Sequence, residues 1–81
     1  MKEVQISLKS IEDVKHFVQT LTMFDGEFEL ISGKYIVDAK SILGLFSVDL
    51  SKPVTLRIEV SDSKLEDILN AISKYRVNWF R

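Results

Sequence analysis

The sequence has no cysteine, one proline and three glycines in 81 residues. Without cysteine there can be no disulfide framework, thiolate nucleophile or sulfur-ligated metal site, and a reducing cytoplasm suits such a chain. No uninterrupted apolar run approaches the roughly 20 residues needed to cross a bilayer. The opening Met1-Lys2-Glu3-Val4-Gln5 lacks the apolar segment of a secretory signal. An excess of one charge is missing too: 11 Lys and Arg stand against 12 Asp and Glu, a formal net charge of -1 with the single His neutral. With no basic stretch, the chain has no electrostatic footprint for nucleic acid or anionic lipid. No linker, repeat or low-complexity segment divides it, so residues 1–81 are expected to form a single domain.

Hydrophobic residues make up 46% and charged residues 28%, the mixture of an ordinary globular domain. A 9.3 kDa chain buries only about 60% of its unfolded surface, so its stability must come from one core. That leaves no room for a deep substrate cavity. An enzyme is not expected; a small cytoplasmic binding or carrier domain is.

Residues 3–8 alternate, with Val4, Ile6 and Leu8 on one face, which predicts a half-buried strand. Ser10 then suits a helix N-cap, followed by Glu12 and Asp13 at the positive end of the helix. Ile11, Val14, Phe17, Val18, Leu21 and Phe24 make one helical face apolar, and Asp25-Gly26 ends it. Residues 27–31 and 35–38 are strand candidates joined by Ser32-Gly33-Lys34. A brief helical turn over residues 41–46 with exposed apolar side chains comes next. After Pro53, Val54, Leu56, Ile58 and Val60 alternate inward. Ser63-Lys64-Leu65-Glu66 fits a capping box for a last helix carrying Leu65, Ile68, Leu69, Ile72 and Tyr75.

The order β-α-β-β-α-β-α implies an α/β (α+β) two-layer sandwich, a four-stranded antiparallel sheet covered on one face by helices. The pattern alone also allows a ferredoxin-like arrangement. The aromatic end, Val77-Asn78-Trp79-Phe80-Arg81, either folds back onto the core or makes a dimer or partner contact.

No catalytic or metal-binding constellation emerges, and no cofactor is implied. His16 lies between the apolar and solvent sides of its helix, with no Cys or second His to share a metal, and is expected to be a partly buried side chain. Glu12 and Asp13 are accounted for by the first helical turn, Glu27 and Glu29 by a solvated strand face. A triad of Ser10, Asp13 and His16 fails because Ser10 and His16 stand roughly 240° apart around a helix.

One segment is more specific. Ser41 stands at the start of the short apolar turn, where free amides favour an anion, including a phosphate on the Ser itself. Ile42, Leu43 and Phe46 lie beside it, and an exposed apolar patch marks a partner surface. On physical grounds alone the plainer reading is favoured: Ser41 caps the turn and the apolar residues complete the core.

Lys40-Ser41-Ile42-Leu43-Gly44 resembles the Lys-Ser-Ile-Met-Gly segment of HPr, the histidine-containing phosphocarrier of the bacterial sugar phosphotransferase system. The resemblance runs through Val18-Gln19-Thr20, Phe24, Glu27-Phe28-Glu29-Leu30 and residues 54–58, covering about residues 3–76. It implies the HPr fold rather than the ferredoxin-like one. HPr carries phosphate on a His in a Gly-hydrophobic-His-Ala-Arg-Pro motif, whereas the matching stretch here is Leu8-Lys9-Ser10-Ile11-Glu12-Asp13. Ser10 stands where that His should be, and Glu12 replaces the Arg that steadies the phosphoryl group. His16 falls outside the motif, so the comparison implies that transfer through His is lost.

What the resemblance carries over is Ser41. In HPr of many Gram-positive bacteria the matching Ser is phosphorylated by an ATP-dependent kinase, and the product docks on a transcription regulator. Lys40, Ile42, Leu43 and Phe46 match the partner-binding surface, with Leu43 and Phe46 in place of the usual Met residues. The expectation is a regulatory, protein-binding monomer or weak dimer whose partners include a kinase or a transcription regulator. A phosphocarrier using His16 or Ser10, and a purely structural or interaction domain, are the alternatives.

Overall fold

In the computed structural model, which describes residues 1–77, the chain runs β1 (Lys2–Ile6), α1 (Ile11–Thr22), β2 (Glu27–Ser32), β3 (Tyr35–Asp38), α2 (Ile42–Phe46), β4 (Val54–Glu59), α3 (Asp62–Ala71) and a 3₁₀ turn (Ser73–Tyr75). The four strands form one antiparallel sheet in the order β1-β4-β2-β3. This is the α/β sandwich expected from the sequence.

Strand alternation sorts the side chains between two faces. Val4 and Ile6 of β1, Phe28 and Leu30 of β2, and Val54, Leu56 and Ile58 of β4 are buried. They form one cluster with Val14, Phe17, Val18 and Leu21 of α1 and Ile68 of α3. Each of these larger side chains contributes about 1.5–3 kcal/mol by leaving water. Tyr75 closes the core edge-on against Phe17, with ring centroids 5.4 Å apart. The opposite sheet face is polar: Arg57 bridges Glu3 at 3.3 Å and Glu29 at 2.9 Å across three strands.

Two glycines set the strand connections. Gly33, at φ 60°, occupies the first position of the two-residue turn that closes Ser32 against Tyr35, which suits a type II′ hairpin. Gly26 has φ 141°, and a Cβ there would run into the Val60 side chain, so the chain needs glycine to enter β2 beside β4.

Some local expectations are corrected. Helix α3 starts at Asp62, earlier than the Ser63-Glu66 box requires, because the Ser61 carbonyl already accepts Lys64 N–H at 3.0 Å. The Ser63 hydroxyl instead pairs with that of Ser61 at 3.2 Å, and the box does not form. The last apolar stripe is split between α3 and the 3₁₀ turn, which carries Tyr75 inward. Helix α1 ends at Thr22, with Phe24 half-buried just beyond it.

The chain then returns to the free edge of β1. Ser7 N–H donates to the Tyr75 carbonyl at 2.8 Å and Val77 N–H to the Gln5 carbonyl at 3.0 Å, bracketing an Ile6–Arg76 bridge. Of the aromatic end, Val77 alone is placed; residues 78–81 lie outside the described residues.

Candidate functional site

Ser41 is the N-cap of α2. Its backbone is extended (φ -99°, ψ 107°), its hydroxyl accepts Gly44 N–H at 3.2 Å, and its carbonyl accepts Leu45 N–H at 3.0 Å. The approach is held by Asp38, whose carboxylate accepts Lys40 N–H at 2.9 Å and whose carbonyl accepts Ser41 N–H at 3.0 Å. Such Asx geometry fixes a turn locally. Gly44 sits where α2 meets β3: an added Cβ would lie 3.3 Å from the Ser41 hydroxyl oxygen and 3.4 Å from Val37 Cβ.

Residues three apart share a helix face. Ile42 and Leu45 therefore turn inward together, Leu45 fully buried and Ile42 half-buried against the core. Leu43 and Phe46 share the other face and remain 80% and 47% exposed. The three-residue apolar patch read from the sequence thus becomes a pair, with Ile42 serving mainly the core. Leu45, which fastens the helix to the body of the protein, was not singled out. Its spacing from Ile42 is the signal that would have found it.

Lys40 is turned toward the body as well. Its ammonium donates to the Phe24 carbonyl at 2.7 Å and lies 5.2 Å from the Phe28 ring centroid. It ties the loop before Ser41 to the end of α1 and to β2. Beyond α2, the Asp49 carboxyl is held below its ordinary range by hydrogen bonds from the Ser51 hydroxyl and the Ser51 N–H, with nearby Lys52 adding to this.

The start of α1 is a second capped terminus. The Ser10 hydroxyl accepts Asp13 N–H at 3.1 Å, and the Asp13 carboxylate accepts Lys9 N–H at 2.9 Å. Glu12 is exposed beside this cap. His16 is also exposed, correcting the expected partial burial. Val14, Phe17, Val18 and Leu21 define the buried side of α1, and at 100° per residue His16 falls on the opposite side. Among the described residues no three His, Asp or Glu side chains gather as a metal-ligand set. No helix among them is long and apolar enough to cross a membrane.

Fold and site together define a small two-layer α/β domain with hydroxyl-capped helix starts and two exposed apolar side chains beside one of them. The sequence profile described as PTS HPr component phosphorylation site matches residues 13–76, beginning just after Ser10 and Glu12. The chain belongs to the HPr family of the phosphotransferase system. It is 30% identical to HPr-C-His from Thermoanaerobacter tengcongensis, with a TM-score of 0.76 over 91% of this chain and 89% of that one. The phosphocarrier protein HPr from Bacillus anthracis str. Ames is 28% identical, with a TM-score of 0.69 over 94% of both chains. A Mycoplasma histidine-containing phosphocarrier protein, 13% identical over 90% of this chain and 86% of its own, shares the fold at a TM-score of 0.69. No curated protein sequence gives a significant match.

Proposed function

We propose that this HPr-family protein is a cytoplasmic, non-enzymatic regulatory module that docks on protein partners through the Ser41 turn and does not carry phosphate on histidine. The observation that carries the proposal is the arrangement of α2: a half-exposed cap hydroxyl beside the outward-facing Leu43 and Phe46. A bacterial kinase would transfer the γ-phosphoryl group of ATP to the Ser41 oxygen, releasing ADP and the hydroxyl proton. The phosphate oxygens would take over the Gly44 N–H, add about two negative charges, and leave the apolar pair free to meet a partner such as a transcription regulator.

The start of α1 supports the loss of histidine phosphotransfer. Ser10 occupies the place of the family's His and Glu12 that of its Arg, so the position offers no imidazole and a carboxylate that repels phosphate. A phosphoserine ester is also a poorer phosphoryl donor than a phosphohistidine.

The docking surface is tested by affinity capture of partners with wild type and Phe46→Asp, alongside an Ile11→Asp control on the exposed start of α1. Loss of a partner with Phe46→Asp alone supports the proposal; equal capture by all three contradicts it.

The exposure of His16 favours one second reading, a phosphocarrier with a displaced acceptor. Against it, Glu12 precedes His16 by four residues and shares its helix face, where it opposes a phosphoryl group. Labelling with phosphoenolpyruvate and the first enzyme of the phosphotransferase system decides the matter. Acid-labile label on His16 would establish the second reading, and no label would end it.

A further inference from the structure

The two edges of the sheet are not alike. The edge at β1 is partly covered by residues 75–77, whereas β3 has no neighbour on its outer side among the described residues. Ala39 N–H donates to the Phe28 carbonyl at 2.9 Å, which makes Glu29–Asp38 a non-hydrogen-bonded pair of the ladder. The alternation then directs the backbone N–H and C=O of Val37 and Tyr35 toward β2, and those of Ile36 and the N–H of Asp38 toward the open edge, the Asp38 carbonyl being taken by Ser41 N–H at 3.0 Å. Tyr35 is 68% and Ile36 56% exposed, and residues 35–38 carry no proline, lysine or bulge of the kind that blunts an edge strand.

We infer that β3 is a self-pairing edge and that its occupant is β3 of a second copy of this chain. An antiparallel two-fold pairing centred on Ile36 uses the open polar groups of that residue and matches the charges at the two ends of the strand. Ile36 faces its symmetry mate as a hydrogen-bonded pair, using the outward N–H and C=O. Tyr35 then faces the partner's Val37 on the helix-covered side of the sheet. Lys34 faces the partner's Asp38 twice over, one opposite-charge pair at each end. Lys34 makes no ion pair within the chain among the described residues.

The pairing also resolves the one apolar interruption of the polar face. Ile31 and Ile36 are cross-strand neighbours on that face, so the two copies would join them into a continuous row of four isoleucines across the axis. The product is an eight-stranded sheet. With only four residues of β3 per copy, the association is weak and shifts with concentration.

Sedimentation velocity on the full chain, from micromolar to about 1 mM, tests this. Wild type should pass from monomer to dimer. Ile36→Lys places two like charges on the axis and should raise the dissociation constant at least about tenfold. Lys34→Glu should weaken the dimer in low salt and less so in high salt. Circular dichroism checks that each variant remains folded. A monomer throughout the range, or a dimer indifferent to Ile36→Lys, overturns the proposal. So does a complex in which only another protein covers the edge. As a second readout, Ile36→Cys places two thiols in a pair whose Cα atoms lie about 5.5 Å apart, within disulfide reach. It should oxidise to a covalent dimer in preference to a Met23→Cys control just past the end of α1. Equal cross-linking of the two contradicts the pairing.

Discussion

The Ser41 hydroxyl accepts the Gly44 N–H at 3.2 Å, so the oxygen that a kinase would esterify is also the cap of α2. The site and the stability of the short helix are therefore coupled. Ser41→Ala should cost about 1 kcal/mol, and Ser41→Asp, which keeps an acceptor oxygen at the cap, should recover most of that loss. Urea denaturation of the three proteins reads both effects. Equal midpoints for wild type and Ser41→Ala would show that the cap contributes nothing.

Lys40 makes a different kind of contribution from its neighbours. Its ammonium is held by the Phe24 carbonyl and the Phe28 ring, so its first effect is on the loop that presents Ser41. Lys40→Met keeps the aliphatic stem and removes the charged donor. A stability loss of about 1–2 kcal/mol is expected, with chemical-shift changes at Phe24 and Ser41. Unchanged stability would place the lysine's value elsewhere.

Gly26 is the backbone position least tolerant of a side chain. At φ 141° a Cβ is strained, and it meets Val60 as well as lying 3.3 Å from the Glu59 carbonyl oxygen. Gly26→Ala should lower stability by about 1–3 kcal/mol, and Gly33→Ala, in an open turn at φ 60°, by about 1–2 kcal/mol from backbone strain alone. Thermal melts of the pair separate backbone strain from crowding.

Arg57 stands between Glu3 and Glu29 on the polar sheet face, where Glu27 also opposes Glu59 and Glu29 opposes Asp38. Arg57→Gln removes the cation that offsets this row. The expected cost is about 0.5–1 kcal/mol in low salt, shrinking as added salt screens the remaining carboxylates. Denaturation at two ionic strengths measures it; a loss independent of salt would point to packing of the arginine stem instead.

The strands and α1 were legible because their periods repeat: Val54, Leu56 and Ile58 alternate, and Val14, Phe17, Val18 and Leu21 recur along one helical face. Helix α2 is little more than one turn long, so its inner side rests on the single Ile42–Leu45 spacing, a weaker signal than a repeating period. The inward turn of Lys40 depends on Phe24 and Phe28, which are distant in sequence, and local spacing carries no trace of it. The start of α3 departs from the Ser63 box because the backbone bond from Lys64 N–H to the Ser61 carbonyl sets it, and no side-chain cap marks Ser61 in the sequence. The strand order, and with it the open edge at β3, is set by pairing between distant segments.

Regulation is proposed to run through Ser41, and through neither Ser10 nor His16. Its most direct test is incubation of the full chain with an HPr kinase and ATP, followed by mass-spectrometric mapping of wild type and Ser41→Ala. One phosphoryl group per chain is expected, on Ser41, and none on the variant. An unlabelled wild type, or label that persists in Ser41→Ala, would contradict it.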